Sequence, residues 1–480
     1  MGETKRRNKA GFKVGELYAR QTLLDRIWKE HEVFPEQTDQ PAILYIDLHL
    51  IHEVTSHTAF AELESRNLQV YAPLKTLAQC DHAIPTTRDS ENHSLLYANS
   101  DTKNQVELLI QNCSDFGIEC FTSGDKNHGI VHVVGPELGL AWPGRTIVCG
   151  DSHTCTQGAY GALAFGIGST EVAHVLATQC LLLRKPVSVS VFISKKIPEH
   201  STAKDLALYV LSKLKLEKIA KIASEKSAGT GFVLEFLGPA VRAMSMEERL
   251  TLCNMAVEAG ARTGLMAADS VTFADLQFRE RAPKSAEFAQ LKRKWMSVND
   301  DEFCPDSYVC NVTIDASLLT PRLSYGTSPS LSISCKELNS SDIPLLKKPI
   351  DVVFLGSCTN GRISDLRLAA KFLKNNKINI NVTCIVVPGS LAVKKAAEAE
   401  GLDKIFVNAG AQWREPGCSF CVAMNGDYLK PGQVAVSTSI RNFAGRQGPG
   451  SHTILASPAT AIVSAIRGFV CDPREFTSET

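Results

Sequence analysis

Short apolar runs alternate with helical stretches along nearly the whole chain. After a polar, basic start, the stretch from Leu23 to Glu30 predicts a helix, and Ala42 to Ile46 predicts a short buried strand ending at Asp47. Further strands are predicted at Thr146 to Cys149, Val187 to Ile193, Val352 to Leu355, Ile385 to Val387 and Val434 to Val436. These are continuous apolar runs rather than apolar/polar alternations, the pattern of parallel strands covered by helices on both faces. The class expected is therefore α/β.

At 480 residues the chain exceeds one compact core, since domains settle near ~100–200 residues. Polar stretches near Lys195 to Ala203 and Cys335 to Lys348 suggest two boundaries. The expected organisation is a loose extension over 1–22, then three α/β domains over 23–197, 198–345 and 346–480. No solenoid-length repeat and no low-complexity tract interrupts them.

Composition removes several classes of partner. With 51 basic against 51 acidic residues, nothing in the net charge favours nucleic acid or an anionic membrane. No apolar run reaches the ~18–20 residues of a membrane span. The basic N-terminus leads into no signal-peptide core, and Arg6 stands where a myristoylation signal needs Ser or Thr. A soluble, cytoplasmic protein is expected. Fifteen cysteines without a secretory signal fit a reducing compartment. Cys113, Cys120, Cys149, Cys180 and Cys384 lie among apolar or helical residues and are expected only to pack.

Chemistry concentrates in a few turns. Gly417 to Cys421 forms a CxxC that by itself is ambiguous between zinc, a redox disulfide and an iron–sulfur cluster. The strand Val352 to Leu355 runs into Gly356-Ser357-Cys358-Thr359-Asn360-Gly361, and a strand's carboxyl end points into the crevice of an open α/β sheet. Cys358, Cys418 and Cys421 make three thiolates, one fewer than a closed zinc or cubane site uses, which leaves one metal position open. Asp81-His82, His132 and Gly150-Asp151-Ser152-His153-Thr154 supply acids and imidazoles, the last again at a strand end. His49, His52, His57, His93, His128, His174 and His200 are expected to be structural. The glycine-rich stretch Gly158 to Gly168 lacks the third glycine of a dinucleotide fingerprint and predicts close helix packing. Pro388-Gly389-Ser390 is expected to cap a helix.

These motifs resemble the aconitase family, and within it the large subunits of isopropylmalate dehydratases. The blocks carrying the resemblance are Leu44 to Asp47, Gly129 to His132, Ile147 to Thr154, Gly161 to Gly168, Leu252 to Met255, Gly356 to Asn360, Pro416 to Cys421 and Arg441 to Gly448, in one order from about Leu23 to Gly468. The resemblance implies three α/β/α domains around a cluster-containing cleft. It implies one [4Fe–4S] cluster on Cys358, Cys418 and Cys421, whose fourth iron binds the substrate hydroxyl and a carboxylate. His82, oriented by Asp81, would be the acid that protonates the departing hydroxyl. His132, Asp151, His153 and Glu258 would surround it, with Ser152, Asn254, Arg441 and Arg446 binding substrate. Asn254, four residues before Glu258, would share its helix face.

Single-chain aconitases carry a C-terminal swivel domain with the serine base. Only twelve residues follow Gly468. A separate small swivel-domain subunit is thus the expected partner, together with an alkylmalate substrate. Three positions depart from the family pattern: Ile440 for an asparagine, Ser328 within Tyr325 to Pro329 for another asparagine, and His452 for an arginine. A hydro-lyase of leucine biosynthesis is expected. The runner-up is a paralogue acting on another 2-alkylmalate or on homocitrate/homoaconitate. A cluster-sensing, RNA-binding aconitase-like protein is a third reading, disfavoured by the neutral charge and the retained acid–base set.

Overall fold

Three parallel-type sheets carry the fold, and in each the chain leaves a central strand toward one side before returning to the other. The computed structural model describes residues 21–89, 91, 94–214, 216–226, 231–296 and 304–476. His93 and nearly all of the expected N-terminal extension lie outside them.

The first sheet runs Glu119–Phe121, Thr76–Gln79, Leu48–His52, Thr146–Cys149, Leu163–Gly166, all parallel. Leu48–His52 and Thr146–Cys149 are buried throughout, so helices cover both faces as the apolar runs require. The second sheet is Thr263–Leu265, Phe232–Leu237, Val187–Ser194, Cys310–Asp315, also parallel. The third has seven strands, with Val352–Leu355 between Thr383–Val386 and Val434–Ser437, and an antiparallel edge formed by Arg322–Ser324 and Ser332–Ser334.

The strands expected at Thr146 to Cys149 and Val352 to Leu355 form over those residues. Ala42–Tyr45 differs: it pairs antiparallel with Glu32–Phe34 and Cys180–Leu183 in a small separate sheet, and its burial alternates. Sheet membership also changes ahead of the expected boundaries. Val187–Ser194 already belongs to the second sheet and Arg322–Ser324 to the third. Local polarity marks loops, whereas sheet membership depends on long-range pairing that no local stretch encodes.

Helix starts follow local chemistry. Thr22 and Asp25 form a capping box for Leu23–His31, and Thr202 and Asp205 do the same for Ala203–Lys213. Glu235 accepts the backbone N–H groups of Leu23 and Leu24 at 3.1 and 3.2 Å, tying the first helix to the second sheet. No helix of the described residues is long and apolar enough to cross a membrane.

The glycine-rich stretch serves backbone-on-backbone approach rather than helix packing. A Cβ at Gly158 would lie 1.8 Å from the Gly264 carbonyl oxygen of the second sheet, and one at Gly166 would lie 2.7 Å from Ser152 Cα and 2.8 Å from Asp151 O. Gly166→Ala is thus expected to push on the Asp151–Ser152 turn and cost about 1–3 kcal/mol, the usual range for overpacking. Chemical denaturation of the purified variant measures it.

Candidate active site

Three strands of the first sheet end side by side, and each delivers a polar residue to the same place. Glu53 follows Leu48–His52, and its carboxylate accepts the backbone N–H groups of Asp81, His82 and Ala83 at 3.2, 2.8 and 2.5 Å. That fixes the turn after Thr76–Gln79. Within it, Asp81 Oδ1 lies 2.5 Å from His82 Nδ1, while its other oxygen accepts Val131 N at 2.9 Å. The imidazole is left with Nε2 directed at Asp151 Oδ2, 3.1 Å away. The His52 ring stacks on it at 4.3 Å between centroids.

Asp151, after Thr146–Cys149, gathers the rest. It caps the 3-10 segment Ser152–Tyr160 by accepting His153 N at 2.6 Å. Its Oδ1 also lies 3.2 Å from His153 Nδ1 and 3.3 Å from His132 Nε2. The His132 approach is off the hydrogen-bond direction, and neither ring nitrogen of His132 has a hydrogen-bond partner. His153 Nε2 continues to Glu258 Oε1 at 3.3 Å.

Burial alone would discharge His82, but Asp81 and Asp151 outweigh it and hold its pKa well above the usual imidazole range. Burial would likewise protonate Asp151, yet the close approach of the His132, His153 and His82 rings pulls its pKa well below the ordinary value. His52, buried beside the cationic His82, falls to about 4 and stays neutral. The cluster is thus a buried array with a cationic His82 between two carboxylates.

The cysteines come from the third sheet. Cys358 sits on the short helix Ser357–Asn360 that follows Val352–Leu355, and Cys418 and Cys421 bracket the 3-10 turn Ser419–Cys421. All three are buried and none forms a disulfide. Next to a cysteine in each turn stands a serine in the left-handed region, Ser357 at φ 79° and Ser419 at φ 47°, a conformation that costs on the order of 1 kcal/mol or more and persists only where contacts enforce it. The enforcing contacts are present. Ser357 Oγ donates to Thr438 O at 3.3 Å, and Ser419 Oγ donates to Asp427 Oδ2 at 2.7 Å. Asn254 Nδ2 donates to Cys358 Sγ at 3.1 Å. Cys418 N donates to Asp81 O at 3.1 Å, which joins the CxxC turn to the acid–imidazole pair.

Arg441 Nε donates to Glu258 Oε1 and its Nη2 to Ser152 Oγ, both at 2.8 Å. Arg446 differs: its Nε is buried without a hydrogen-bond partner, and among the described residues no carboxylate pairs with it. Its Cζ lies 5.6 Å from the Phe443 ring centroid. Asn254 and Glu258 do not share an α-helical face. The helix Met246–Asn254 ends at Asn254 and Glu258 lies in the 3-10 turn Met255–Ala259, so Asn254 turns to Cys358 and Glu258 to His153 and Arg441.

Sequence reasoning missed Glu53 and His52, although both stand at a strand's carboxyl end, the signal that found Asp151 and Cys358. Of the other histidines assigned to structure, His49 is fully buried and His128 faces Pro416 O at 3.3 Å beside the CxxC turn. Ile440 packs into the core, whereas His452 is exposed at the start of its strand. Ser390 caps Leu391–Ala399 as expected.

The donors suit an iron–sulfur group: three enclosed thiols, an amide N–H aimed at Cys358, and an imidazole whose neighbour Asp81 accepts the backbone N–H of Cys418. Doubly wound sheets whose crevices bring acids, imidazoles and thiols together are the architecture of an α/β enzyme. Residues 25–468 match the aconitase family (aconitate hydratase), and the chain belongs to that family. An iron–sulfur cluster is typical of it. The chain is 50% identical over 479 residues to the 3-isopropylmalate dehydratase large subunit of Roseiflexus castenholzii, covering 95% of this chain and 99% of that one. It is 47% identical over 477 residues to the protein of the same name from Anaeromyxobacter dehalogenans, covering 94% and 96%. Among solved structures, the holo-form of Thermococcus kodakaraensis aconitase X aligns at a TM-score of 0.44 and 11% identity, covering 87% of this chain and 89% of that one.

Replacing Cys358, Cys418 or Cys421 with serine is expected to abolish or cripple cluster uptake in anaerobically purified protein, whereas Cys384→Ser leaves it intact. Iron and sulfide per chain and the broad visible absorbance report the difference. A full complement of iron in Cys418→Ser and Cys421→Ser would contradict the ligand assignment.

Proposed function

We propose that this chain is the large, catalytic subunit of a 3-isopropylmalate dehydratase. It interconverts 2-isopropylmalate and 3-isopropylmalate by removing and re-adding water through an alkene, a step of leucine biosynthesis. Cys358, Cys418 and Cys421 hold one [4Fe–4S] cluster, and a small swivel-domain subunit completes the site with the serine base that takes the carbon-bound proton. The observation that carries this reading is the His82 imidazole held between Asp81 and Asp151, on a turn hydrogen-bonded to the Cys418 backbone. The chain's identity to large subunits over nearly its whole length supports the substrate and the partner.

Hydroxide leaves poorly, so the departing oxygen must receive a proton as the carbon–oxygen bond breaks. His82 delivers it from Nε2, because Asp81 occupies Nδ1 and fixes the ring's orientation. Asp151 stabilises the cation before transfer, and in rehydration the same nitrogen takes the proton back. When bound, the cluster supplies a Lewis-acidic iron that takes up charge on the substrate's hydroxyl and carboxylate. Arg446 receives a second substrate carboxylate, and Arg441, steadied by Glu258 and Ser152, sets the wall beside it. The fully buried surroundings of Asp81 and His132 keep bulk water from the proton.

His82→Ala, assayed with the small subunit, is expected to lower kcat on the order of 10²–10⁴-fold, the range for a positioned acid. KM and iron content should stay near wild type, because the thiols and Arg446 are untouched. Normal turnover, or loss of the cluster with the activity, would remove His82 from this role and leave His153 as the next candidate.

A further inference from the structure

Lys204 is a fully buried lysine that the proposed chemistry does not use. It lies near the start of Ala203–Lys213, a helix that packs against Arg322–Ser324 of the third sheet, and it is 0% exposed. Its Nζ donates to Ser439 O at 2.5 Å and Thr438 O at 3.3 Å, and lies 3.7 Å from Met255 Sδ. Among the described residues no carboxylate forms a salt bridge with it. A buried ammonium without a counter-ion is costly, and proteins rarely keep one.

Its surroundings show where the counter-charge belongs. Burial draws the ammonium down to about 8, so it is still protonated at neutral pH, and the groups opposing that burial are first Cys421 and then Cys358, with Glu258 and Asp365 behind them. Both carboxylates are engaged elsewhere, Glu258 by Arg441 and His153 and Asp365 by Asn360 and the Arg362 backbone. Each atom that Lys204 touches leads in one or two steps to a cysteine turn. Thr438 O also accepts Ser357 Oγ, directly before Cys358. The Ser439 hydroxyl accepts Gln447 Nε2, which donates as well to Phe420 O, directly before Cys421. Met255 adjoins Asn254, whose amide reaches Cys358 Sγ.

We propose that Lys204 is a positioning residue whose ammonium is the built-in counter-charge of the thiolate-held cluster. This rests on the cluster assignment above. Three thiolates and a [4Fe–4S]²⁺ core carry one net negative charge, and one-electron reduction makes it two, so a fixed cation in a low-dielectric site favours the reduced form. Removing the charge should make reduction harder.

The test uses the anaerobic holoenzyme with its small subunit, comparing wild type with Lys204→Met, Lys204→Gln and Lys204→Arg. The readouts are iron and sulfide per chain and the midpoint of an EPR-monitored reductive titration. Gln keeps a hydrogen-bond donor without charge, and Arg keeps the charge. The expected result is a shift of at least tenfold against reduction in both Met and Gln, about 59 mV for one electron, with Arg close to wild type. Failure of both neutral variants to take up the cluster, while Arg takes it up, supports the same conclusion. A wild-type midpoint in the Gln variant, or loss of the cluster from all three including Arg, overturns the charge assignment and leaves a role in shape or hydrogen bonding alone. Wild-type protein that takes up no cluster would overturn the cluster assignment itself, and the lysine's role with it.

Discussion

One carboxylate, Asp151, draws three imidazoles from three segments of chain into contact, and the site's geometry follows from that. His82, His132 and His153 come within 3.1 to 3.3 Å of its two oxygens. A buried anion this close to three rings favours protonation of the ones that approach it best. It also requires their backbones to be fixed, because each imidazole gains from Asp151 only over a narrow range of distance and direction. Glu53 fixes the His82 turn through three backbone N–H groups, and Gly166 lets the Asp151 turn pass close to a neighbouring strand.

The fold supplies these positions through topology. In the first sheet the chain leaves Leu48–His52 to one side for Thr76–Gln79 and returns on the other with Thr146–Cys149, opening a crevice where Glu53, His82 and Asp151 meet. The third sheet repeats the device around Val352–Leu355, which delivers Cys358. The two crevices are brought into register by hydrogen bonds that include Cys418 N to Asp81 O, Glu415 N to Thr86 O, Ile130 N to Gly389 O, Thr86 Oγ1 to Asp427 Oδ2 and Arg441 Nη2 to Ser152 Oγ. The strained serines beside the cysteines show that the surrounding contacts determine the thiol positions, since a local preference would have avoided those angles.

What the sequence made legible follows the same division. Cys358 and Asp151 were visible because each follows a short apolar run that ends in a polar turn, and the CxxC was visible by its spacing. Asp81, His82 and Arg441 were visible through the family resemblance. Glu53, His52 and Lys204 were not, because each sits in an apolar or helical stretch where its role depends on partners 28 to 235 residues away. The antiparallel pairing of Ala42–Tyr45 and the early start of the second and third sheets were hidden for the same reason. Asn254 was placed near the site, but the change from α to 3-10 geometry after it redirected its side chain to a thiol.

The most direct measurement is the pH dependence of turnover by the assembled enzyme in wild type and Asp151→Asn, with iron determined on the same samples. Since Asp81 and Asp151 together raise the His82 pKa against burial, the acid form persists at neutral pH and is lost as pH climbs through the raised value. The wild-type alkaline limb should therefore lie above the ~6.5 of free imidazole. Removing the carboxylate's charge should move that limb to lower pH while iron stays constant. An alkaline limb that does not move, in a variant with its cluster intact, would contradict the claim that Asp151 holds the site's acid in its working form.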